Sequence, residues 1–275
     1  MLIYKMTNTL DGFLPPLNYT DDSRLAEILL VGGKKINLAD FPRLKGLFKT
    51  GVGTDNLPYE EACRRGVSIA LPSAQTCDVI YEETSAFACH LILAGLYAGA
   101  GDWGKWGKPP RSMLGGRRLL IIGNGRIGKR VAAKMSSFML VDTYDVAENS
   151  PESLEPKVRA ADCVTLHVPL TASTNSFFDA KHLAWMRDGA LLVNTARGAI
   201  VDEAALYAEL SSGRLRAAFD VFWEEPYAGR LNELPDSRFI KSPHIASSCR
   251  EFLVSAVDDL IYFIDSLAES HGCGK

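Results

Sequence analysis

No stretch of this sequence reaches the roughly 18 consecutive apolar residues that a membrane span requires. Its basic residues are dispersed, so no lysine- and arginine-rich surface for nucleic acid is marked out. The six cysteines, at 63, 77, 89, 163, 249 and 273, form no C-x-x-C pair, which argues against zinc ligation and disulfides. Cys163 precedes Val164-Thr165-Leu166, and several of the others also sit among apolar residues. Buried free thiols in a reducing cytoplasm are therefore the expectation. Cys273 is followed by Gly274 and Lys275, which do not make a prenylation box. Internal repeats and low-complexity tracts are absent. Met1-Leu2-Ile3-Tyr4-Lys5-Met6 reads as a first strand rather than a signal peptide, because neither a long apolar core nor a small-residue cleavage site follows.

What is present is ordinary for a globular protein: 275 residues, 47% hydrophobic, 23% charged, with a formal net charge of −3. That length can bury a full core and suggests one large or two smaller domains. From residue 117 onward short apolar runs alternate with helical patterns. Strands are predicted at 117–122, 138–144, 163–167, 190–195, 216–221 and 239–242, with helices around 154–161, 180–186 and 203–210. Such alternation means an α/β fold with a doubly wound parallel sheet, its helices on both faces. The preceding segment has a similar texture, with strands at 44–48 and 67–71 and a helix at 59–65. A long helix at 79–97 connects the two units, and 99–116 reads as a loop. An amphipathic helix at 252–268 returns to the first unit. The expected domains are 1–78 with 249–275, and 79–248 inserted between them, the active site lying in the cleft.

The most informative stretch is Leu119-Leu120-Ile121-Ile122-Gly123-Asn124-Gly125-Arg126-Ile127-Gly128. A short apolar strand runs directly into G-x-G-x-x-G, and a helix-compatible run follows. That context makes the motif a dinucleotide fingerprint. Gly123 permits the tight turn, Gly125 lets the backbone approach a pyrophosphate, and Gly128 lets helix and strand pack closely. Arg126 and Ile127 open the helix, whose free N–H groups and partial positive charge suit phosphates. The next predicted strand ends at Asp145, close to the offset of about 20 residues expected for the acid that binds the ribose hydroxyls. A carboxylate there favours NAD over NADP, because it repels a 2′-phosphate.

Three segments fall at the carboxyl ends of the later strands, where ligands bind in such sheets. Asn194 to Asp202 presents Arg197 among small residues, and a guanidinium fork suits a carboxylate. Asp220-Val221-Phe222-Trp223-Glu224-Glu225-Pro226 ends an apolar strand in acids. Ser242-Pro243-His244-Ile245-Ala246 places a histidine between proline and small residues. Each residue alone is more often bland than catalytic, but their joint placement behind a fingerprint is hard to obtain by chance.

These segments, with Gly51-Val52-Gly53-Thr54-Asp55-Asn56 and His167-Val168-Pro169-Leu170-Thr171, resemble the D-isomer-specific 2-hydroxyacid dehydrogenases over residues 44–250. The resemblance implies a Rossmann-type NAD-binding domain inserted into a smaller flavodoxin-like substrate domain, and a homodimer. It implies that Arg197 binds the substrate, that Glu225 and His244 form the acid/base pair, and that Asp220 holds the nicotinamide carboxamide. The backbone of Val52 and Gly53 would receive the carboxylate of a small 2-keto or 2-hydroxy acid. Asp145 would bind the ribose, His167 and Pro169 would lie near the adenosine, and Thr195 near the nicotinamide. The chain departs from the family in Ile80-Tyr81-Glu82, where Val-Ala-Glu is usual, in a shorter N-terminal region, and in a trimmed Trp103 to Gly116 stretch. Thr50, Tyr81, the Trp103 to Trp106 loop and Trp223 are candidates for the pocket wall. Two alternatives stand beside this reading: an NAD-sensing regulatory protein of corepressor type, and a dehydrogenase of an unusual anion such as a phosphonate or phosphite.

Overall fold

The computed structural model describes residues 1–98, 104 and 106–272. The chain divides into two compact units. One is Met1–Ile80 with the chain from Ser247 onward, and the other is Tyr81–Ala246. The divisions fall two residues from the expected 78/79 and 248/249.

The first unit holds four parallel strands, β1 (Ile3–Lys5), β2 (Ile28–Val31), β3 (Gly46–Lys49) and β4 (Ser68–Ala70). They pair in sequential order, without the reversal seen in a flavodoxin sheet. β2, which the sequence reading did not pick out, is buried along its whole length, as is β3. A parallel sheet covered on both faces requires such continuous apolar runs. Alternation sends Ile28, Leu30 and Phe48 to one face, and Leu29, Val31 and Leu47 to the other. Helix α7 (Arg250–Gly272) covers the first face with Phe252, Ala256, Leu260, Phe263 and Leu267. Helix α1 (Tyr59–Arg65) contributes Ala62 to the second face. Its acids lie in the first turn and its arginines in the last, as the helix dipole favours, and it ends at Gly66 with φ +66°. The long helix, α2 (Ala74–Tyr97), begins earlier than the predicted residue 79. Asp259 of α7 sets that start by accepting from Ser73 N (2.8 Å) and Thr76 Oγ1 (2.7 Å).

The second unit holds six parallel strands, β5 (Arg118–Ile122), β6 (Leu140–Tyr144), β7 (Cys163–Leu166), β8 (Leu191–Asn194), β9 (Arg216–Phe219) and β10 (Phe239–Lys241). The order is β10-β9-β8-β7-β5-β6. Direction of winding reverses between β5 and β7, which creates the crevice where such sheets bind ligands. Among the described residues β6 is an edge, since no strand follows it outward. One face carries Leu119, Ile121, Cys163, Leu191 and Val193 against Ala88, Leu91, Ile92 and Leu96 of α2 and Val131 and Met135 of α3 (Arg126–Met135). The other carries Leu120, Ile122, Val164, Leu166, Leu192 and Phe219. Helices α4 (Leu154–Ala160), α5 (Ala180–Trp185) and α6 (Glu203–Ser211) cover that face with Val158, Leu183 and Leu206. By length and composition α2 would pass for a membrane span. Its apolar residues are instead accounted for by this packing. Within the predicted loop at 99–116, residues 99–103 and 105, Trp103 among them, lie outside the described residues.

At Gly46, α7 approaches β3 closely: an added Cβ would overlap Leu267 and Phe263, both buried. Gly46→Ala is therefore expected to destabilise the protein by about 1–3 kcal/mol, the usual cost of forcing a carbon into a filled core. Denaturant unfolding followed by circular dichroism measures this, and an unchanged midpoint would contradict the tight seat of α7.

Candidate active site

β5 runs out at Ile122 into Gly123, whose φ of +98° suits glycine alone among common residues. The Gly123 N–H donates to Tyr144 O (2.8 Å), and a Cβ there would meet the carbonyl of His167. A Cβ on Gly128 would strike Gly123 O, while around Gly125, the N-cap of α3, the space is open. The three glycines thus have the geometry a pyrophosphate cradle demands. Arg126 opens α3, and Ile127 packs against the core beneath it. Asp145 stands just past β6. Its Oδ2 accepts from Asn124 N (2.8 Å) and its Oδ1 from Ala147 N (3.0 Å). Glu148 accepts from the Asn124 amide at 3.0 Å, so two carboxylates flank this end of the fingerprint. Past β7, His167 shares a hydrogen bond with Thr165 through Nε2 (3.0 Å). Desolvation pushes its imidazole down to about 4, so it is neutral at physiological pH. Pro169 follows it, its carbonyl accepting from Thr174 Oγ1 at 2.6 Å.

The loops after β8, β9 and β10 gather the remaining candidates. Asn194 fixes the first: its Nδ2 donates to Arg197 O (2.8 Å), and its Oδ1 accepts from Ala196 N (2.9 Å). Gly198 packs so closely on the backbone of Phe222 and Trp223 that no Cβ fits. This approach joins the Arg197 turn to the acidic turn after β9. There Glu225 Oε2 lies 2.7 Å from His244 Nδ1, and Oε1 accepts from Phe222 N at 3.1 Å. Burial pushes the Glu225 carboxyl up, but the bond to His244, the His244 and Arg197 charges and the Phe222 amide outweigh it and hold Glu225 below the usual range. With Nδ1 engaged, Nε2 is the ring nitrogen left to exchange a proton with a ligand.

His244 has a φ of +55°, a strained conformation for a side chain of this size. The surrounding segment is held by Asp220, which is fully buried. Its Oδ1 accepts from Ser242 Oγ (2.6 Å) and Ile245 N (3.0 Å), and its Oδ2 from Ala246 N (2.8 Å). Burial raises the Asp220 carboxyl above its ordinary value, with these donors pulling the other way. The sequence reading missed Ser242 and Asn194 as supports. Their signal was a polar side chain at the mouth of an apolar strand. Thr195 is 8% exposed, and its Oγ1 is buried without a hydrogen-bond partner. A buried orphan hydroxyl at the mouth of a strand of the same sheet fits a site made for a bound cofactor.

Residues Gly123, Gly125, Arg126, Ile127, Gly128, Asp145, His167, Pro169, Thr195, Arg197, Asp220, Glu225 and His244 all belong to the second unit. Val52 and Gly53 belong to the first, in the loop after β3. Lys49 and Asn56 brace that loop. Lys49 Nζ donates to Gly32 O (2.5 Å) and Asn56 Oδ1 (2.9 Å), and Asn56 Nδ2 donates to Gly32 O (3.0 Å) and Lys34 O (2.6 Å). Two of the candidate wall residues carry hydrogen bonds of the fold. Thr50 is buried and donates to Val31 O (3.1 Å), and Trp223 Nε1 donates to Val201 O (2.7 Å).

The family described as "D-isomer specific 2-hydroxyacid dehydrogenase, NAD binding domain" matches residues 88–246. A hydroxypyruvate reductase of Thermotoga maritima is 32% identical over 222 residues, 76% of this chain and 72% of that protein. A glyoxylate reductase of Aeropyrum pernix is 34% identical over 255 residues, 82% of this chain and 75% of the relative. The fold matches a D-lactate dehydrogenase from Aquifex aeolicus, solved with NAD and lactic acid, at a TM-score of 0.80 and 24% identity over 98% and 96% of the two chains. An NADPH-dependent glyoxylate/hydroxypyruvate reductase from Sinorhizobium meliloti, solved with NADP and malonate, matches at 0.74 and 26% identity over 94% and 90%. By these matches this chain belongs to the D-isomer-specific 2-hydroxyacid dehydrogenases, and its cofactor is NAD.

Proposed function

We propose that this enzyme reduces a small 2-keto acid, of the glyoxylate or hydroxypyruvate kind, to its D-2-hydroxy acid. The observation that carries the reading is the 2.7 Å contact between Glu225 and His244, formed beside Arg197 in the loops that follow β8 to β10. NAD in its reduced form supplies the hydride. Arg197 grips the substrate carboxylate through its planar fork and polarises the neighbouring carbonyl. Val52 and Gly53 receive the same carboxylate through backbone N–H groups. As negative charge grows on the carbonyl oxygen, protonated His244 donates from Nε2. Glu225 accepts from Nδ1–H, which fixes the ring's orientation and stabilises its charged form. Asp220 and Thr195 hold the nicotinamide end, Gly123 to Gly128 the pyrophosphate, and Asp145 the ribose, with His167 and Pro169 beside the adenosine. Cysteines 63, 77, 89, 163 and 249 form no disulfide among the described residues, which suits a cytoplasmic setting. Sedimentation of the purified protein tests the dimer that the family resemblance implies. A panel of 2-keto acids, followed by absorbance with NADH and with NADPH, tests the activity. No turnover of any of them would sink the reading and favour a regulatory role.

Arg197→Lys is expected to be nearly as damaging as Arg197→Ala, in both KM and kcat, since lysine keeps the charge but loses the fork. Steady-state kinetics decide it: near wild-type values for the lysine variant would remove Arg197 as the bidentate anchor. Asp145→Asn should move the ratio of kcat/KM for NADH and NADPH toward NADPH, because the charge that repels a 2′-phosphate is gone. A ratio that does not move would remove Asp145 as the discriminating acid.

The pH profile of reduction tests the acid/base pair. Glu225 sits below its ordinary carboxylate value, so it is an anion throughout a window of about pH 5 to 9, which spans the unperturbed histidine range. Removing that anion in Glu225→Gln makes protonated His244 less stable. The alkaline limb of kcat/KM should then move to lower pH while activity survives. His244→Ala should remove the limb and cost on the order of 10²–10⁴ in rate. An unmoved limb in the glutamine variant, or full activity without His244, would refute the pairing.

A further inference from the structure

Past β6 the chain closes a short turn on itself. Glu148 N and Asn149 N both donate to Asp145 O, at 3.0 and 2.8 Å, and Asn149 Oδ1 accepts from Asp145 N at 2.9 Å. Asp145 and Glu148 are thus carried on one braced piece of backbone. Both carboxylates meet the fingerprint at the same residue, Asn124, which stands between Gly123 and Gly125. Its backbone N–H donates to Asp145 Oδ2 at 2.8 Å, and its side-chain Nδ2 donates to Glu148 Oε2 at 3.0 Å. The exposed Glu148 side chain is therefore tied to the glycine turn, and it makes no ion pair among the described residues. Cations are missing from the sequence that follows. Residues 145–156 include Glu152 and Glu155 but neither lysine nor arginine, and Lys157, the first cation, pairs with Asp142 at 2.6 Å.

We propose that Glu148 is a second specificity-determining residue for the dinucleotide, sharing with Asp145 the rejection of a 2′-phosphate. The inference rests on the reading that Asp145 binds the ribose. A phosphate monoester adds about −1.5 to −2 of charge at neutral pH. Set on the ribose hydroxyl that Asp145 would receive, it meets Asp145 directly and Glu148 across the width of Asn124. Charges at a protein surface feel one another over about 8 Å at physiological ionic strength. The two acids are unequal in what they have left to repel with. Asp145 already accepts the N–H groups of Asn124 and Ala147, which offset part of its charge. Glu148 accepts a single amide N–H. Neither carboxylate can swing aside without breaking its bond to Asn124, and residues 145–156 offer the phosphate no counter-ion. Removing Asp145 alone therefore leaves a repelling charge in place.

Dissociation constants for NADH and NADPH should be measured by fluorescence titration for the wild type, Glu148→Gln, Glu148→Lys, Asp145→Asn and the double variant Asp145→Asn/Glu148→Gln. Glutamine keeps an oxygen for the Asn124 amide and removes only the charge. The quantity to follow is the ratio of the NADPH to the NADH constant, since both dinucleotides carry the pyrophosphate. Glu148→Gln should lower that ratio by about threefold, and Glu148→Lys, which inverts the charge, by about tenfold. The double variant should fall below Asp145→Asn by about threefold again. In roughly 1 M KCl, where the screening length is about 3 Å, these Glu148 effects should largely vanish. An unmoved ratio in both Glu148 variants, beside a lowered one in Asp145→Asn, would overturn the inference and leave the ribose reading standing. A Glu148→Gln effect that persists in high salt would overturn it too, because repulsion would not be its cause. A ratio unmoved by every variant would overturn the ribose reading and the inference together.

Discussion

In an all-parallel sheet every strand ends on the same side, and both faces must be covered by helices. This constraint orders the whole second unit. Apolar residues make up most of β5 and β7 to β9. Polar groups with work to do are left to collect in the turns just beyond the carboxyl ends. Gly123, Asp145, His167, Thr195, Asp220 and Ser242 each stand one residue past a strand. A set of residues scattered over 120 positions of sequence therefore becomes one row in space.

Support for that row is mostly hidden carboxylate and amide chemistry. Asp220 accepts three donors from the segment that carries His244, and this web holds a histidine backbone in a conformation it would not choose alone. Asn194 does the same for the turn that presents Arg197. Such buried polar webs are costly when half made and rigid when complete. They explain how short loops can present an arginine, a glutamate and a histidine in register without a helix beneath each.

The fingerprint, the strand alternation and the three late loops were legible in the sequence because each rests on local pattern: glycine spacing, apolar runs, and a charged residue among small ones. β2 escaped notice although Ile28-Leu29-Leu30-Val31 is as apolar as any run in the chain, since the loops around it carry no helix rhythm to mark it. The start of α2 was misplaced because its cap comes from Asp259, 183 residues beyond Thr76, and no local window contains that information. Thr50 and Trp223 looked like pocket residues by position, yet their polar atoms are used by neighbouring carbonyls. Side-chain direction, unlike strand position, cannot be read from spacing.

β6 ends its sheet without an outer neighbour among the described residues, and so one side of its backbone has no strand to pair with, the Thr143 N–H donating instead to Asp142 Oδ1 at 2.8 Å. Such an edge is a template on which another extended chain can grow. Leu140 faces solvent on this strand, and Phe138 just before it is also exposed, which adds to the attraction. The counterweight is Asp142 in the middle of the strand, paired with Lys157 at 2.6 Å. Charge at the centre of an open edge makes strand addition unfavourable, because an incoming chain would have to desolvate it. The consequence of that ion pair is an edge less open to strand addition by a second chain.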